Sequence, residues 1–367
     1  MDAMLLDRKA DSPAKMTIID CDIHPAPHSL DDIKEFLPLR WKTHWDTYGA
    51  SMRAPIHGAH TYPRIQPFAS RLDAWPDNGG LPGSDLAFMQ KQHLDPLNIE
   101  YGMLSLIRPA AHSQRNLEFG EALCVAVNEW QLEAWTRQDK RLKASIVVHP
   151  DNVDAAVAEI RRRAKEDGFV QIGMGPRATE PLGRRRYWPI YAAAEEVDMP
   201  IAIHPGSVSG IADSGAGWPS FYIEDFNSIV DCSQGLLTSL AIEGVFENFP
   251  RLKIVLVEGG WSYVPSLSWR LDKAWHRMRD EIPHVKLPPS EYIKKHVWYT
   301  TQPVEEPNNP AHQYDLMDWI GWDRLLFSSD YPHWDFDDPR YAIKASLSPE
   351  QKRMIMSENA RSLYKLY

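Results

Sequence analysis

Short runs of aliphatic and β-branched residues recur along the chain, and several end in a polar or ionisable residue followed by Pro or Gly. Runs of this kind are typical of strands buried on both faces of a parallel sheet. They predict strands at residues 17–24, 101–107, 144–148, 169–172, 201–204, 253–258, 297–301 and 325–330. Segments with helical spacing of apolar residues lie between them, at 115–137, 153–166, 188–197, 233–248 and 264–279.

This alternation of strands and helices indicates βαβ units with right-handed crossovers. Eight such units close a barrel, so we predict an α/β fold, a (β/α)8 TIM barrel. We expect residues 1–367 to form one domain, because barrels of this length commonly carry insertions. A doubly wound open sheet is the alternative.

Two long connections interrupt the pattern. Residues 29–93, after the first strand, are rich in Pro, Trp, Gly and Arg and too long for a simple loop. We interpret them as an insertion with its own short helices, either a lid over the site or a subunit contact. The second connection, residues 205–222, is rich in Gly and Ser and is expected beside the site.

Composition and charge narrow the function classes. The chain is 43% hydrophobic and 25% charged, with a net charge of -10 that is spread along its length. This argues against a nucleic-acid partner, and the short basic clusters at 161–163 and 184–186 are interpreted as solvated surface. Three separated cysteines, a charged N-terminus and the lack of a long apolar run predict a cytoplasmic protein that does not enter the membrane.

Ionisable residues stand at the ends of three predicted strands. In the first strand Asp20, Asp22 and His24 alternate with apolar residues, which predicts that all three side chains share one face. His204 and Asp330 end the fifth and eighth strands, and each comes directly or nearly directly before a proline. Such endings would bury charge without a partner unless a cation compensates it. We therefore predict a divalent metal bound by Asp22, His24, His204 and Asp330.

Longer motifs resemble those of the amidohydrolase-related family, which includes the aminocarboxymuconate-semialdehyde and hydroxybenzoate decarboxylases. The resemblance extends from residue 18 to residue 361 and is carried by DxHP, HPG, FPRLKIVLVEGGWSYVPSLSWRLDKAW and LLFSSDYPHWDFDDP. In that family the metal is held by two residues of the first strand, a His of the fifth and an Asp of the eighth. The resemblance thus implies the same four ligands, with Asp330 also accepting a proton from a metal-activated water.

The chain departs from the family pattern at two positions. Asp22 stands where many members have the first His of a pair, which makes the site more anionic and favours manganese or iron over zinc. Glu258 stands where the decarboxylases place a catalytic His, so their proton-transfer step cannot simply be carried over. Glu258 could be a general acid or base, a partner of a ligating His, or a ligand. If Glu258 is a ligand, the site holds enough carboxylates for two ions, and His333 and Asp20 are further candidate ligands.

Other polar residues near strand ends are candidates for substrate binding. They are Arg108, His149 and His333, joined by Trp218 in the second long connection, while Gln171 and Gln302 are further inward candidates. Arg108 would suit a substrate carboxylate, because a guanidinium pairs with a carboxylate through two hydrogen bonds.

Three functions are compatible with this sequence. The first is a metal-dependent hydrolase or non-oxidative decarboxylase of a small organic acid or amide. The second is an oxygen-dependent hydroxylase with a dinuclear Mn/Fe or Fe/Fe centre, as in the similar 2-aminoisobutyrate hydroxylase. The third is a structural-metal subunit of a hetero-oligomer that uses its Trp-rich insertion as an interface. The expected cofactor is zinc, manganese or iron, as one ion or two, in a homo- or hetero-oligomer that acts on a small molecule.

Overall fold

The computed structural model describes residues 16–49, 67–176, 178–205 and 217–367. Within them eight strands form one parallel sheet in the order of the sequence. The strands are β1 (Ile18–Ile23), β2 (Ile99–Leu104), β3 (Leu142–Val147), β4 (Phe169–Met174), β5 (Ile201–Ile203), β6 (Ile254–Leu256), β7 (Val297–Thr300) and β8 (Leu325–Leu326). Each overlaps a predicted strand, although β1, β5, β6 and β8 end before the polar residues that closed the predictions.

The sheet closes between its first and last strands. Cys21 N–H donates to the Phe327 carbonyl at 2.9 Å, and His24 N–H donates to the Tyr331 carbonyl at 2.7 Å. These bonds join β1 to the chain that follows β8, as a barrel requires. The predicted (β/α)8 barrel is confirmed, and the open-sheet alternative is wrong.

Helices fill the connections between the strands. They are α1 (Asp31–Lys34), α2 (Leu39–Tyr48), α3 (Leu86–Met89), α4 (Leu117–Gln131), α5 (Val153–Arg163), α6 (Trp188–Val197), α7 (Tyr222–Ile242), α8 (Val245–Asn248), α9 (Val264–Met278), α10 (Pro289–His296), α11 (Pro310–Ile320), α12 (Pro349–Arg353) and α13 (Asn359–Tyr364). Among the described residues, none of these helices has the length and apolar character needed to cross a membrane.

The prediction of a helix beginning at residue 233 is wrong, because α7 begins at Tyr222. The Glu224 carboxylate accepts the backbone N–H groups of Ser220 and Phe221 at 2.9 and 2.8 Å and so caps the first turn. The residues of that turn are largely exposed, so no apolar periodicity marked it. Residues 206–216 of the second long connection lie outside the described residues.

Two apolar layers position the site. The larger layer lies between strands and outer helices, and the smaller one fills the barrel with side chains such as Ile19, Met103 and Val255. The smaller layer includes Tyr364 of α13, whose hydroxyl donates to Gln171 Oε1 at 2.8 Å. Gln171 is therefore engaged by the C-terminal helix.

A buried cation links three outer segments of the fold. The Arg163 side chain is 2% exposed and donates to Glu159 at 3.0 Å, Glu166 at 2.8 Å and Glu129 at 2.5 Å. Removing one partner of such a cluster leaves buried charge without compensation.

Arg163→Ala should therefore lower the free energy of unfolding by about 3–5 kcal/mol, measured by urea titration. Arg161→Ala is the matched control, because the Arg161–Glu196 pair is about half exposed and such pairs contribute about 1 kcal/mol or less. Equal losses in the two variants would contradict the structural role of Arg163.

Candidate metal centre

Four side chains from three strands meet at one mouth of the barrel. Asp22 Oδ2 lies 3.5 Å from both His24 Nε2 and His204 Nε2, and His204 Nε2 lies 3.3 Å from Glu258 Oε2. One ligand atom from each of the four lies within 4.8 Å of the others. They meet because all four lie at or just beyond the carboxyl ends of their strands, which open at the same mouth.

Asp330 extends this group on the side of β8. Its Oδ1 lies 2.7 Å from His24 Nε2 and 2.7 Å from His333 Nδ1, and the three residues form a second group of potential ligands. Glu258, Asp330 and Asp335 form a third group. The groups share His24, Asp330 and Glu258, so the mouth offers donors for more than one ion.

The hydrogen bonds of the imidazoles test whether a metal fits. His24 Nδ1–H donates to the Ser105 carbonyl at 2.7 Å, and His204 Nδ1–H is directed at the Pro205 carbonyl. This tautomer leaves a lone pair on each Nε2. Both Nε2 atoms and both Asp22 oxygens are buried without a hydrogen-bond partner. In the neutral form of His24, the 2.7 Å approach of its Nε2 to Asp330 Oδ1 brings two electron-pair donors together, which a divalent cation bound by both would stabilise.

Without a cation, protons compensate the carboxylates: burial lowers the pKa of His24, but Asp22 and Asp330 outweigh it and raise that pKa well above its usual value. A metal that binds here would displace those protons. Burial alone would raise the pKa of Asp22 and Asp330, but the neighbouring imidazoles outweigh it. The pKa of Asp22 falls far below its usual range, and that of Asp330 falls to about 2. Burial and the nearby carboxylates raise the pKa of Glu258 well above its usual value, and burial and Asp330 raise that of Asp335 to about 8. Without a cation, this many carboxylates can share the mouth only if some are protonated.

Two of the ligand candidates lie in a strained backbone conformation. Glu258 has a φ of 52° and Asp330 a φ of 62°, in the left-handed region that costs a non-glycine residue about 1–3 kcal/mol. Glu258 N–H donates to Thr300 Oγ1 at 3.0 Å, and Asp330 N–H donates to the Asp22 carbonyl at 3.2 Å. The neighbouring strands therefore hold these two backbones in place.

The expectation that Asp20 shares a face with Asp22 and His24 is wrong. The register of β1 against β2 shifts between Asp20 and Ile23, so strict alternation is lost there. Both Asp20 oxygens accept hydrogen bonds from Ser329, and one of them also accepts a bond from His93. Asp20 is absent from the ligand groups found among the described residues.

The predicted substrate-binding residues differ in their distance from this group. His333 contacts it directly, and its ring stacks on that of His24 with centroids 4.3 Å apart. His149 Nε2–H donates to the Gln114 carbonyl at 2.7 Å, while its Nδ1 is buried without a partner.

Arg108 is exposed with its Cζ 4.9 Å from the Phe68 ring centroid, and no carboxylate of the described residues pairs with it. Trp218 is 44% exposed.

Three residues of the mouth were missed by the sequence reasoning. His112 lies on a 3-10 turn, and burial followed by His149 and His204 lowers its pKa to about 4. Tyr222 begins α7, and its hydroxyl accepts a hydrogen bond from Trp334 Nε1 at 3.4 Å. Asp335 accepts a bond from Gln302 Nε2 at 2.9 Å. None of the three ends a predicted strand, although Asp335 lies within the quoted motif LLFSSDYPHWDFDDP.

Comparison with protein families matches residues 19–366 to the amidohydrolase family. Among curated proteins, γ-resorcylate decarboxylase of Rhodococcus jostii is 28% identical over 304 residues, covering 77% of this chain and 88% of the relative.

Solved structures share the fold. The 5-carboxyvanillate decarboxylase of Novosphingobium aromaticivorans, with bound manganese and a nitrobenzoic acid, has a TM-score of 0.72 at 21% identity, covering 96% of this chain and 97% of that one. The dihydroxybenzoic acid decarboxylase of a Polaromonas species, with manganese and 2-nitroresorcinol, has a TM-score of 0.64 at 20% identity, covering 96% and 97%.

Proposed function

Because the chain belongs to the amidohydrolase family, as its motifs predicted, we propose that it is a metal-dependent carboxy-lyase that removes CO2 from a small hydroxylated aromatic acid. The observation that carries the proposal is the meeting of unpartnered Asp22, His24 and His204 atoms beside Asp330. The substrate class is supported by the names of the relatives, which decarboxylate resorcylate, carboxyvanillate and dihydroxybenzoate.

The proposed ligands are Asp22, His24, His204 and Asp330. Manganese is the proposed ion, since two solved structures of similar fold contain it and carboxylate oxygens favour a hard cation. A divalent cation held there would stabilise negative charge on the substrate oxygens.

Glu258 is the proposed proton donor. In the reaction a proton adds to the ring carbon that bears the carboxylate, the bond to the carboxylate breaks, and its electron pair restores the ring as CO2 leaves. Such a step needs an acid at the mouth, and Glu258 lies there beside the proposed ligands, with its Oε2 3.3 Å from His204 Nε2. This role replaces the His that the decarboxylases place at the corresponding position.

Arg108 and an aromatic wall are proposed to bind the substrate. Arg108 is exposed beyond the end of β2, and no carboxylate of the described residues pairs with it. Its guanidinium can therefore pair with the carboxylate of a substrate. The rings of Tyr222, Phe226 and Trp334 pack edge to face or tilted within 6.2 Å of one another and offer an apolar surface for a benzene ring. We also propose that the insertion, residues 29–93, contributes its described residues 67–93 to a wall of this mouth, because Ser70 pairs with His333 in an antiparallel bridge.

The test is a decarboxylation assay of the purified chain loaded with Mn²⁺. Substrates are 2,6-dihydroxybenzoate and 5-carboxyvanillate, with benzoate as the control that lacks a hydroxyl group. We expect CO2 release and the matching phenol from at least one hydroxylated acid and none from benzoate. Hydrolysis of small amides or esters without any CO2 release would contradict the proposal. No turnover at all by the metal-loaded chain would favour a structural subunit instead.

Arg108→Ala should raise KM for the preferred acid about 10- to 100-fold with a smaller change in kcat, since it removes a charge-assisted pair of about 1.5–3 kcal/mol. Arg108→Lys should be intermediate, because lysine keeps the charge but not the paired donors. The control is Arg340→Ala, an exposed arginine paired with Asp338, which should leave KM unchanged. A KM unaffected by Arg108→Ala would remove Arg108 from the substrate site.

A second candidate is the oxygen-dependent hydroxylase with a dinuclear centre. The observation in its favour is that the ligand groups overlap at Glu258 and Asp330 and include His333 and Asp335 as further donors. The relatives reported above give it no support. Quantitative elemental analysis after anaerobic purification separates the two candidates: two redox-active ions per chain together with substrate-dependent O2 uptake would favour the hydroxylase, and a single ion would exclude it.

A further inference from the structure

A buried carboxylate outside the metal-ligand groups connects three parts of the fold. Asp20 is 0% exposed. Its Oδ1 accepts the backbone N–H groups of Ser329 at 2.9 Å and Asp22 at 3.2 Å. Its Oδ2 accepts the Ser329 hydroxyl at 2.5 Å and His93 Nε2–H at 2.8 Å. One side chain thus binds β1, the chain after β8 and the insertion.

These bonds lie on either side of the proposed ligands. Asp22 itself donates to Asp20, and Ser329 directly precedes Asp330. The N–H of Tyr331, on the other side of Asp330, donates to Ser329 Oγ at 3.1 Å. The left-handed backbone of Asp330 is therefore fixed at both neighbours by groups that Asp20 holds.

The insertion contributes the remaining partner. His93 lies in the π-helical turn Gln90–Leu94, and its ring stacks on that of Tyr331 with centroids 4.6 Å apart and an angle of 14°. The Tyr331 hydroxyl donates to Gln92 Oε1 at 2.9 Å. The position of the insertion is thus coupled to the segment that carries Asp330.

We propose that Asp20, supported by His93 and Ser329, is a positioning residue that sets the metal affinity of the centre. The inference rests on the proposed metal site. An oriented outer carboxylate keeps the ligands in their binding geometry before the ion arrives, and loss of such a partner typically weakens metal binding 10- to 100-fold. Asp20→Asn is the sharpest change, because its NH2 group would face N–H and O–H donors that now meet a carboxylate oxygen.

The test is the dissociation constant for Mn²⁺, measured on the metal-free full chain by competition with a chelating indicator, together with the thermal midpoint of the metal-free chain. We expect Asp20→Asn to bind Mn²⁺ about 10- to 100-fold more weakly. The control is Asn128→Ala, which removes a buried amide that bonds Val147 and Glu159 away from the centre. It should lower the thermal midpoint but leave the Mn²⁺ affinity within about threefold of the wild type.

A second pair of variants keeps the inference testable if Asp20→Asn does not fold. His93→Phe preserves a ring against Tyr331 but removes the donor to Asp20, so it should weaken Mn²⁺ binding. His93→Gln supplies an N–H donor in its place and should restore part of the affinity. Unchanged Mn²⁺ affinity in both Asp20→Asn and His93→Phe would overturn the inference. An equal loss of Mn²⁺ affinity in Asn128→Ala, at the same thermal midpoint as Asp20→Asn, would also overturn it, because the loss would then follow from destabilisation alone. If the wild-type chain binds no Mn²⁺, the proposed metal site itself fails.

Discussion

Replacing His204 by alanine is expected to leave the purified chain with less than a tenth of the metal that the wild type retains after dialysis. His204 Nε2 is buried without a hydrogen-bond partner and lies between Asp22 at 3.5 Å and Glu258 at 3.3 Å. Its loss removes a neutral donor from a site that is otherwise rich in carboxylates, and the remaining ligands lose the imidazole that separates them. Removing a direct ligand should weaken binding by roughly 100-fold or more, beyond the range for outer partners.

The measurement is elemental analysis of metal per chain, before and after dialysis against a weak chelator. His284→Ala is the matched control, because His284 is an exposed imidazole that bonds the Ile242 carbonyl and belongs to none of the ligand groups among the described residues. It should retain the wild-type metal content. Full retention of metal by His204→Ala would remove His204 from the ligand set and leave Asp22, His24 and Asp330 to account for the site.

The barrel could be predicted from sequence because its strands are buried on both faces and alternate with helices. The meeting of His24, His204 and Asp330 could be predicted for a related reason: each stands at the end of a predicted strand, and the carboxyl ends of parallel strands open at one mouth. The structure places Asp330 four residues beyond Leu326, the last residue of β8, on a left-handed backbone. The sequence thus predicted that Asp330 lies at the mouth, but not the loop conformation that directs its side chain there.

The failures have local causes. Asp20 was misassigned because a bulge in β1 cannot be read from an alternating pattern, and the bulge separates its carboxylate from that of Asp22. His112 and Tyr222 were missed because they lie on a 3-10 turn and at a helix start, where no strand end marks them. Their place at the mouth depends on packing between segments distant in sequence.

The inserted segment is tied to the site through its backbone as well as through His93. Arg71 N–H donates to the Pro332 carbonyl at 2.9 Å, and Trp334 N–H donates to the Ala69 carbonyl at 2.7 Å. Gly83 has a φ of 76°, and a Cβ there would lie 2.3 Å from the His24 carbonyl oxygen. Only glycine satisfies both conditions, so the backbone of the insertion packs directly against the backbone of a proposed ligand. This supports its role as a wall of the mouth.

Asp330→Asn is expected to abolish turnover, with a loss in kcat of about 1,000-fold or more, equivalent to about 4 kcal/mol or more of transition-state stabilisation. Asp330 Oδ1 lies 2.7 Å from both His24 Nε2 and His333 Nδ1, and Oδ2 accepts Gln302 Nε2–H at 3.3 Å. An amide of the same shape lacks the negative charge that a cation needs, and one of its two terminal atoms becomes a donor facing Gln302 or His333. The measurements are kcat for the preferred acid, metal content and the thermal midpoint.

Asp337→Asn is the control, because Asp337 is a nearby carboxyl that accepts the Val304 N–H at 3.1 Å and belongs to none of the ligand groups among the described residues. This variant should keep kcat within about tenfold of the wild type. If Asp330→Asn keeps more than a tenth of the wild-type kcat, Asp330 acts neither as a metal ligand nor in proton transfer, and the reaction must be assigned to other residues of the mouth.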